Sequence, residues 1–262
     1  METHTKDNEM NAFERHNIAH LSASSLNTFA AAPSLWVMEK LLGHRGKVGC
    51  AAHRGSAVEA GISHGLFDKA CEVDECIQTG LRLYDRLSAL SGDPKRESER
   101  QLVSPMIAQG LAALRERGAP IRPNSGDQHK IEVRLEGVSV PIIGYLDFEM
   151  ADEVLDTKTT TKIPSALPPA HARQFSIYKH AKMDKRMRGV YVSAKRVEIH
   201  TLTREQYDVA ISEVTAMAKR MERFLAVSAD PHELAAIVPH DPSSFFWNDE
   251  ATAAKGREVY GF

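Results

Sequence analysis

The sequence predicts a mixed α/β fold of the α+β kind, with a mixed central β-sheet flanked by helices. Residues 21–117 repeat apolar positions at the three- and four-residue spacing of helices. Residues 118–228 contain short alternating runs that are typical of strands, together with further helical stretches. Strands in the middle of a chain with helices on both sides favour an α/β or α+β core.

The helical half follows a polar N-terminus, residues 1–20, which we expect to be flexible. Ser22 or Ser24 is a suitable N-cap for the first helix, and Pro33 divides the next segment into two helical pieces. Further helices are expected over 54–66 and, in two or three pieces broken near 91–94 and 104–105, over 68–117.

The second half is expected to open with a proline-rich loop after Gly118. Three alternating runs then predict a three-stranded meander, with a turn at 136–137 between the first two strands. A helix, two strands and a long amphipathic helix are expected to follow. The predicted strands cover 130–135, 138–150, 154–160, 190–194 and 197–202, and the predicted helices cover 170–183 and 203–227.

Length and composition allow one large domain. With 262 residues, of which 42% are hydrophobic, the chain can bury a full core. We expect a single domain over 21–228, made of a mainly helical part (21–117) and a sheet-and-helix catalytic core (118–228). Residues 229–262 are expected to form a C-terminal tail that packs on it. Its aromatic segment, 245–247, is expected to anchor this tail, and stacking on bases is the alternative.

Composition also bounds the class of protein. No run of about 18 apolar residues occurs and the N-terminus lacks a hydrophobic signal core, so we expect a soluble, cytoplasmic protein without a membrane partner. The three cysteines, Cys50, Cys71 and Cys76, lack zinc-like spacing and are expected to be reduced structural thiols. A net charge of −2 does not indicate a nucleic-acid binder, but it does not exclude one, because a phosphate-cleaving site is itself acidic.

The stretch GYLDFEMADEVLDTKTT, residues 144–160, predicts a β-hairpin that carries charged residues. A turn centred near Ala151–Asp152 puts Asp147 almost opposite Asp156 on the neighbouring strand. Asp156 and Lys158 are two residues apart on one strand, so their side chains point to the same face. Two carboxylates and an ammonium group therefore converge.

Such a cluster suits a metal-dependent hydrolase. Neighbouring carboxylates repel each other unless a cation is present, and oxygen ligands suit a hard divalent ion such as Mg²⁺ or Mn²⁺. A lysine beside the ion can orient or deprotonate a water and can neutralise charge on a phosphate. The alternative for the hairpin alone is an exposed acidic turn in which Lys158 balances the charge.

Three further features point toward the hairpin. Gln174 and Tyr178 are four residues apart and share one helix face, which is also typical of an ordinary amphipathic helix. Glu59 follows Gly55 by one helical turn and offers a third carboxylate, or else is a surface glutamate. Glu132 is either an acid behind the site or a solvent-facing strand residue.

Taken in order, GSAVE, Glu132, GYLD, DTK and QFSIY resemble the motifs of the PD-(D/E)XK nuclease superfamily, and within it the RecB-type and CRISPR-associated exonuclease branch. The resemblance covers about residues 21–182 and includes the helical opening LSASSLNTF. Its specific part is the order: GxxD, then DxK after eight residues, then QxxxY. It implies a restriction-endonuclease-like core.

The resemblance also implies a metal site. Asp147 and Asp156 correspond to the ligands of Mg²⁺ or Mn²⁺, and Glu59 corresponds to a third ligand. The backbone carbonyl of Thr157, or that of Leu155, contributes in the same way. Lys158 would be the catalytic lysine. The remaining catalytic positions, on the bordering helix, are Gln174 and Tyr178.

The chain departs from the branch in two places. Glu59 stands where relatives commonly have histidine, and His64, five residues on, is the weaker candidate because it lies about 140° away round a helix. The four cysteines that hold an iron–sulfur cluster in many relatives are also missing: Ala32 precedes Pro33 where those have Cys-Pro, and no cysteine follows Cys76. No iron–sulfur cluster is therefore expected.

A basic rim next to the acidic centre is the expected DNA-binding surface. The alternative is a solvated helix end stabilised by the helix dipole. The candidate DNA contacts are Lys162, Arg173, Lys179, Lys182, Lys185 and Arg186.

The resulting hypothesis is a metal-dependent nuclease that acts on single- or double-stranded DNA ends, an exonuclease of recombination, repair, phage or defence DNA processing. A structure-specific endonuclease of the same fold and a non-catalytic nucleic-acid-binding subunit are the alternatives. The sequence leaves open whether the protein forms a homo-oligomer or binds a recombination partner protein.

Overall fold

The computed structural model describes residues 10–124 and 128–261, and these residues form an α+β fold with helices and two β-sheets. The predicted fold class is therefore confirmed. In chain order the helices are α1 Ala12–Arg15, α2 Ala23–Ala31, α3 Pro33–Lys40, α4 Cys50–Phe67, α5 Val73–Ser88, α6 Arg96–Leu114, α7 Pro169–Ala181, α8 Arg204–Leu225, α9 Pro231–Ile237 and α10 Glu250–Tyr260. The strands are β1 His129–Val133, β2 Ile142–Leu146, β3 Phe148–Glu149, β4 Glu153–Thr159, β5 Arg186–Val192 and β6 Val197–Thr201.

The described residues divide into two compact units. The first takes its residues from 1–46, 132–143 and 212–262, and the second takes its residues from 47–131 and 144–211. The predicted domain boundaries at 21 and 228 stay a prediction.

A four-stranded sheet forms the centre of the second unit, in the order β3-β4-β5-β6. Strands β4 and β5 are parallel, while β3 and β6 pair antiparallel to their neighbours at the two edges. Strands β1 and β2 form a separate two-stranded sheet. The predicted three-stranded meander is therefore wrong, because the expected strand over 138–150 is two strands interrupted at Asp147 and these belong to different sheets.

Helices α4, α5 and α6 pack together and against the sheet. Their buried side chains, including Ile62 and Ile107, form one apolar cluster with Leu155 of β4 and Val190 of β5. Glycines allow the close helix contacts, since a Cβ at Gly61 would lie 2.9 Å from the carbonyl oxygen of Cys76. This packing fixes α4 beside the carboxyl end of β4.

Helix α7 lies against the sheet through Phe175, which is fully buried. The ring fits because position 189 on β5 is glycine: a Cβ there would lie 2.6 Å from the Phe175 ring. The face of α7 that carries Gln174 and Tyr178 is thereby held near the end of β4.

Two expectations for the helical half need correction. Residues 10–20 are not loose, because Asn11 and Glu14 form a capping box at α1 and Phe13 is fully buried; residues 1–9 lie outside the described part of the chain. Pro105 does not break the helix over this region, since α6 runs through it. The other predicted break is confirmed, because α5 ends at Ser88 and α6 begins at Arg96.

The first unit confirms two smaller predictions. Ser22 caps α2 by accepting a hydrogen bond from the N–H of Ser25 at 3.1 Å. Trp247 anchors the C-terminal segment, because it is buried in a cluster with Leu35 and Met38 of α3. Among the described helices, none is both long and apolar enough to cross a membrane.

Candidate active site

The predicted hairpin is present, and its register brings the two aspartates together. Phe148 pairs with Leu155 in the antiparallel ladder of β3 and β4. The N–H of Met150 donates to the carbonyl of Glu153 at 2.8 Å, so the turn consists of Ala151 and Asp152, as predicted. Extending this register by one residue places Asp147 opposite Asp156.

Asp147 is tied to the neighbouring strand by its side chain. It lies in the gap between β2 and β3, and its Oδ2 accepts a hydrogen bond from the backbone N–H of Thr157 at 2.7 Å. Thr157 directly follows Asp156. The bond therefore orients the carboxylate of Asp147 toward the end of β4 at which Asp156 lies.

Lys158 completes the predicted charge cluster. Its Nζ lies 2.6 Å from Oδ2 of Asp156, whose residue is only 1% exposed. The same ammonium lies 5.8 Å from the centre of the Phe175 ring, whose face attracts positive charge. Asp156 and Lys158 thus share one face of β4, as their spacing predicts.

Glu59 of α4 is connected to Asp147 through a glutamine. Nε2 of Gln128 donates to Oε1 of Glu59 at 2.6 Å and to Oδ1 of Asp147 at 3.2 Å. Burial, together with the charge of Asp156, raises the pKa of Glu59. The predicted third carboxylate is therefore at the cluster.

Burial raises the pKa of all three carboxyl groups, and neighbouring carboxylates raise the pKa of Asp147 and Glu59 further. Burial, with the charges of Asp156 and Glu59, raises the pKa of Asp147 well above its usual range. Burial also raises the pKa of Asp156 against the opposing effect of Lys158, and burial with Asp156 raises the pKa of Glu59. Burial disfavours charge on Lys158, but the surrounding carboxylates outweigh it and raise the pKa of Lys158. Lys158 is therefore an ammonium ion.

This donor set fits a hard divalent cation. Its groups are carboxylate oxygens, which Mg²⁺ and Mn²⁺ prefer, and a cation would offset both the burial of these charges and the repulsion that Asp147 experiences from Asp156 and Glu59. The side chain of Thr157, between Asp156 and Lys158 on β4, points to the opposite face of the strand, so the predicted contribution of its backbone carbonyl stays a prediction. Asp147, Asp156 and Glu59 are thus the side chains suited to hold such an ion.

Gln174 and Tyr178 of α7 border the cluster. Nε2 of Gln174 donates to Oδ1 of Asp156 at 3.2 Å and to the hydroxyl of Tyr178 at 2.7 Å. The Tyr178 ring packs over Gly144, where a Cβ would lie 2.6 Å from its Cε1 atom. Glycine at position 144, in the GYLD segment, therefore leaves the space that the Tyr178 ring of the QFSIY segment occupies.

Three residues near the cluster were not singled out by sequence. Gln128 lies in an irregular segment with no periodicity, so no sequence signal identified it. Nδ1 of His171 lies 2.6 Å from the hydroxyl of Tyr191, and burial together with Lys158 lowers the pKa of His171 to about 4. His171 precedes Gln174 by one helical turn, which is a signal that could have identified it.

Two other residues that the sequence suggested for this site have different surroundings. His64 has a ring nitrogen near Cys71 and Glu75, whereas Glu59 shares the amide of Gln128 with Asp147, so Glu59 is the better placed of the two candidates. Glu132 is exposed and pairs with Arg134 at 3.0 Å. Of the two alternatives predicted for Glu132, an acid behind the site or a solvent-facing strand residue, the second is therefore correct.

The predicted basic rim is partly engaged within the protein. Lys185 is 8% exposed, and its Nζ contacts Glu149 at 3.0 Å and the carbonyl of Met150 at 2.6 Å. Its expected DNA contact is therefore wrong, because a buried ammonium that already has partners does not reach a phosphate. Nζ of Lys182 also pairs with Glu149, at 2.9 Å.

The other rim residues differ in their surroundings. Arg186 pairs with Asp152, and Nζ of Lys179 donates to backbone carbonyls of 183 and 185. Arg173 is half-buried, and Lys162 is exposed at the edge of a cavity. DNA contacts by these four residues stay predictions.

Two cavities flank the acidic cluster, and Glu59 lines both. The first, of about 920 Å³, also contains Asp147, Phe67, Arg122 and Tyr145. The second, of about 750 Å³, is lined by residues that include Arg54, Lys158, Lys162, His171 and Tyr191. Glu59 is therefore reached from both cavities, Asp147 from the first and Lys158 from the second.

No protein-family model and no curated protein sequence matches the chain. Among solved structures, one described as "Crystal structure of SSO0001" is 12% identical, with alignment over 76% of this chain and 85% of that chain and a TM-score of 0.32. A TM-score of this size does not establish a common fold.

Proposed function

We propose that the protein is a divalent-metal-dependent deoxyribonuclease that hydrolyses phosphodiester bonds, and that it acts as an exonuclease on DNA ends. The observation that supports this most is the convergence of Asp147, Asp156 and Glu59 with the ammonium of Lys158. Three carboxylates in hydrogen-bonded or electrostatic contact, one of them 2.6 Å from a lysine, suit metal-assisted cleavage of a phosphate ester.

The chain supplies position and charge for this reaction. A divalent ion, when bound, contributes Lewis acidity toward the phosphate and lowers the pKa of a coordinated water. Asp147 and Asp156 hold their carboxylates in place through the Thr157 N–H and the Gln174 amide. The ammonium of Lys158, beside Asp156, can orient a water and stabilise negative charge on the phosphate.

The cavities support a polynucleotide as the substrate. A scissile phosphate needs room for nucleotides on both sides, and Glu59 lines a cavity on each side. Tyr145 is 51% exposed at the first cavity, where an aromatic ring can stack on a base. Lys162 at the second offers a positive charge to a phosphate.

The second candidate is an endonuclease of the same site. A continuous strand can also pass between two cavities that both reach Glu59, which favours cleavage within a strand. The resemblance to RecB-type enzymes favours cleavage from DNA ends instead.

Labelled linear and circular DNA, single- and double-stranded, separates these functions. The protein is incubated with each substrate in Mg²⁺, in Mn²⁺ and in chelator. Release of mononucleotides or short products from linear DNA alone, only with metal, is the expected result. Cleavage of circles would identify an endonuclease, while a gel shift without cleavage of any substrate would contradict nuclease activity and identify a binding subunit.

A further inference from the structure

We propose a second metal site, of the zinc type, formed by His64, Cys71 and Glu75 where α4 ends and α5 begins. One ligand atom of each residue lies within 4.8 Å of the others. The Sγ atoms of Cys71 and Cys76 are 3.3 Å apart, so a second thiol adjoins the group. The spacing of the cysteines does not predict this site, because its donors come from three residue types.

The donor chemistry selects a different ion from that at the aspartates. One imidazole nitrogen, a thiol sulfur and a carboxylate oxygen suit Zn²⁺ and related borderline ions, whereas Mg²⁺ prefers oxygen alone. Ligand atoms around a tetrahedral zinc lie about 3.5 Å apart. Small side-chain rotations therefore bring donors that are within 4.8 Å of one another to the required distance.

The backbone around the group is already fixed. The guanidinium of Arg115 donates to the carbonyl of Cys71 at 2.6 Å and to that of Gly65, the neighbour of His64, at 3.3 Å. The N–H of Cys71 donates to the carbonyl of Asp68 at 3.2 Å. The backbone at Cys71 and next to His64 is thus held by the same arginine, which lowers the cost of ordering these ligands around an ion.

The ligands also differ in exposure in a way that suits an ion entering from solvent. Cys71 and Cys76 are buried, His64 is half-buried and Glu75 is exposed. The His64 ring has no hydrogen-bond partner elsewhere in the described part of the chain, so a metal does not compete with an existing bond there. His64 also lines the cavity of about 920 Å³, so an ion would brace one wall of it.

The site is independent of the proposed nuclease activity, because it shares no ligand with the acidic cluster. The full-length chain is reduced, loaded with Zn²⁺ or Co²⁺ and dialysed, and bound metal is measured by atomic emission. We expect stoichiometric zinc and, with Co²⁺, the near-ultraviolet charge-transfer band that a cobalt–thiolate bond produces. Carboxylates cannot produce this band, so metal at Asp147 and Asp156 is not mistaken for it.

Matched variants complete the test. His64→Ala and Cys71→Ser are expected to lose the zinc and the band, while Cys50→Ser, a buried cysteine outside the group, keeps both. Circular dichroism shows whether each variant is folded, and His64→Ala, at a half-buried position, provides the result should Cys71→Ser not fold. Substoichiometric zinc, Co²⁺ without the band, equal retention by His64→Ala, or a Cys71–Cys76 disulfide in place of metal would each overturn the proposal.

Discussion

The backbone N–H of Thr157 donates a 2.7 Å hydrogen bond to the carboxylate of Asp147 on the other strand of the hairpin. This bond fixes the Asp147 carboxylate next to the residue that follows Asp156. The two aspartates are therefore held together before any ligand is present, although burial raises the pKa of both and the charge of Asp156 raises that of Asp147 further. A site organised in this way has its geometry set by the protein and its charge left for a cation to balance.

Replacing Gln128 by alanine is expected to weaken metal-dependent cleavage. Its amide holds Glu59 and Asp147 together, and loss of a residue that orients metal ligands typically costs about 10–100-fold in metal affinity or activity. The measurement is cleavage rate against Mg²⁺ concentration, in which Gln128→Ala needs more Mg²⁺ for half-maximal rate. Gln101→Ala, which removes an exposed amide on α6, is the control. An unchanged Mg²⁺ dependence would show that Gln128 does not position the ligands.

In the metal-free protein the carboxyl cluster is expected to contribute less stability as the pH rises above about 4, while the lowered pKa of His171 acts in the opposite direction up to about pH 6.5. The raised pKa values of Asp147, Asp156 and Glu59 mean that the folded state binds more protons than the unfolded chain, so its stability falls from the ordinary carboxyl pKa up through the raised ones. Melting curves at pH 5 and pH 8, in chelator and in Mg²⁺, measure this effect.

Asp147→Asn removes one of the repelling charges. Its melting temperature in chelator at pH 8 should therefore exceed that of the wild type, and Mg²⁺ should raise it less. Asp152→Asn, on the exposed turn of the same hairpin, should follow the wild type. If Mg²⁺ stabilises Asp147→Asn as much as the wild type, the carboxylates do not bind it together.

Gly144→Ala is expected to destabilise the protein by about 1–3 kcal/mol, the usual cost of overpacking. The added Cβ would lie 2.6 Å from the Tyr178 ring and 3.3 Å from Ile131. Urea unfolding measures the change. Gly55→Ala is the matched control, because its Cβ would meet Thr159 at an ordinary 3.5 Å within a helix, where alanine is favoured. Equal stabilities of the two variants would contradict the close contact of Gly144 with Tyr178.

Substitution of Lys185 is expected to change stability, whereas substitution of Lys162 is expected to change DNA binding. Lys185→Met leaves the buried Glu149 with fewer cations and is expected to cost about 3 kcal/mol of stability. Lys162→Ala should leave stability unchanged and reduce the slope of log affinity against log salt by about 0.9, as for one lost phosphate contact. Unfolding and DNA-binding titrations in catalytically inactive protein test both. If Lys185→Met instead kept its stability and reduced the salt slope, Lys185 would face the DNA.

Local patterns predicted the hairpin and its neighbours well. The alternation on both sides of Ala151–Asp152 fixed the register, and this register determines that Asp147 faces Asp156. The four-residue spacing of Gln174 and Tyr178 likewise predicted a shared helix face, and their side chains are 2.7 Å apart. Both relationships depend on residues close in the chain, for which the strand and helix periods are sufficient.

Long-range relationships were harder to predict. Strands β2 and β3 are continuous in sequence, yet they enter different sheets, because the chain leaves the ladder at Asp147. Pro105 lies within α6 because tertiary packing of Val103 and Ile107 holds the helix on both sides of it. Lys185 was expected on the surface, since no local pattern shows that Glu149 is buried beside it.

Cleavage of end-labelled linear DNA in Mg²⁺ by the wild type, Asp156→Asn and Asp152→Asn tests the central claim most directly. Asp156 touches both Lys158 and Gln174, whereas Asp152 lies on the exposed turn of the same hairpin. We expect Asp156→Asn to cut at least about 100-fold more slowly than the wild type, with Asp152→Asn unchanged and all three folded. Equal cleavage by all three proteins, or none by the wild type with either Mg²⁺ or Mn²⁺, would contradict the assignment of this hairpin as a catalytic metal centre.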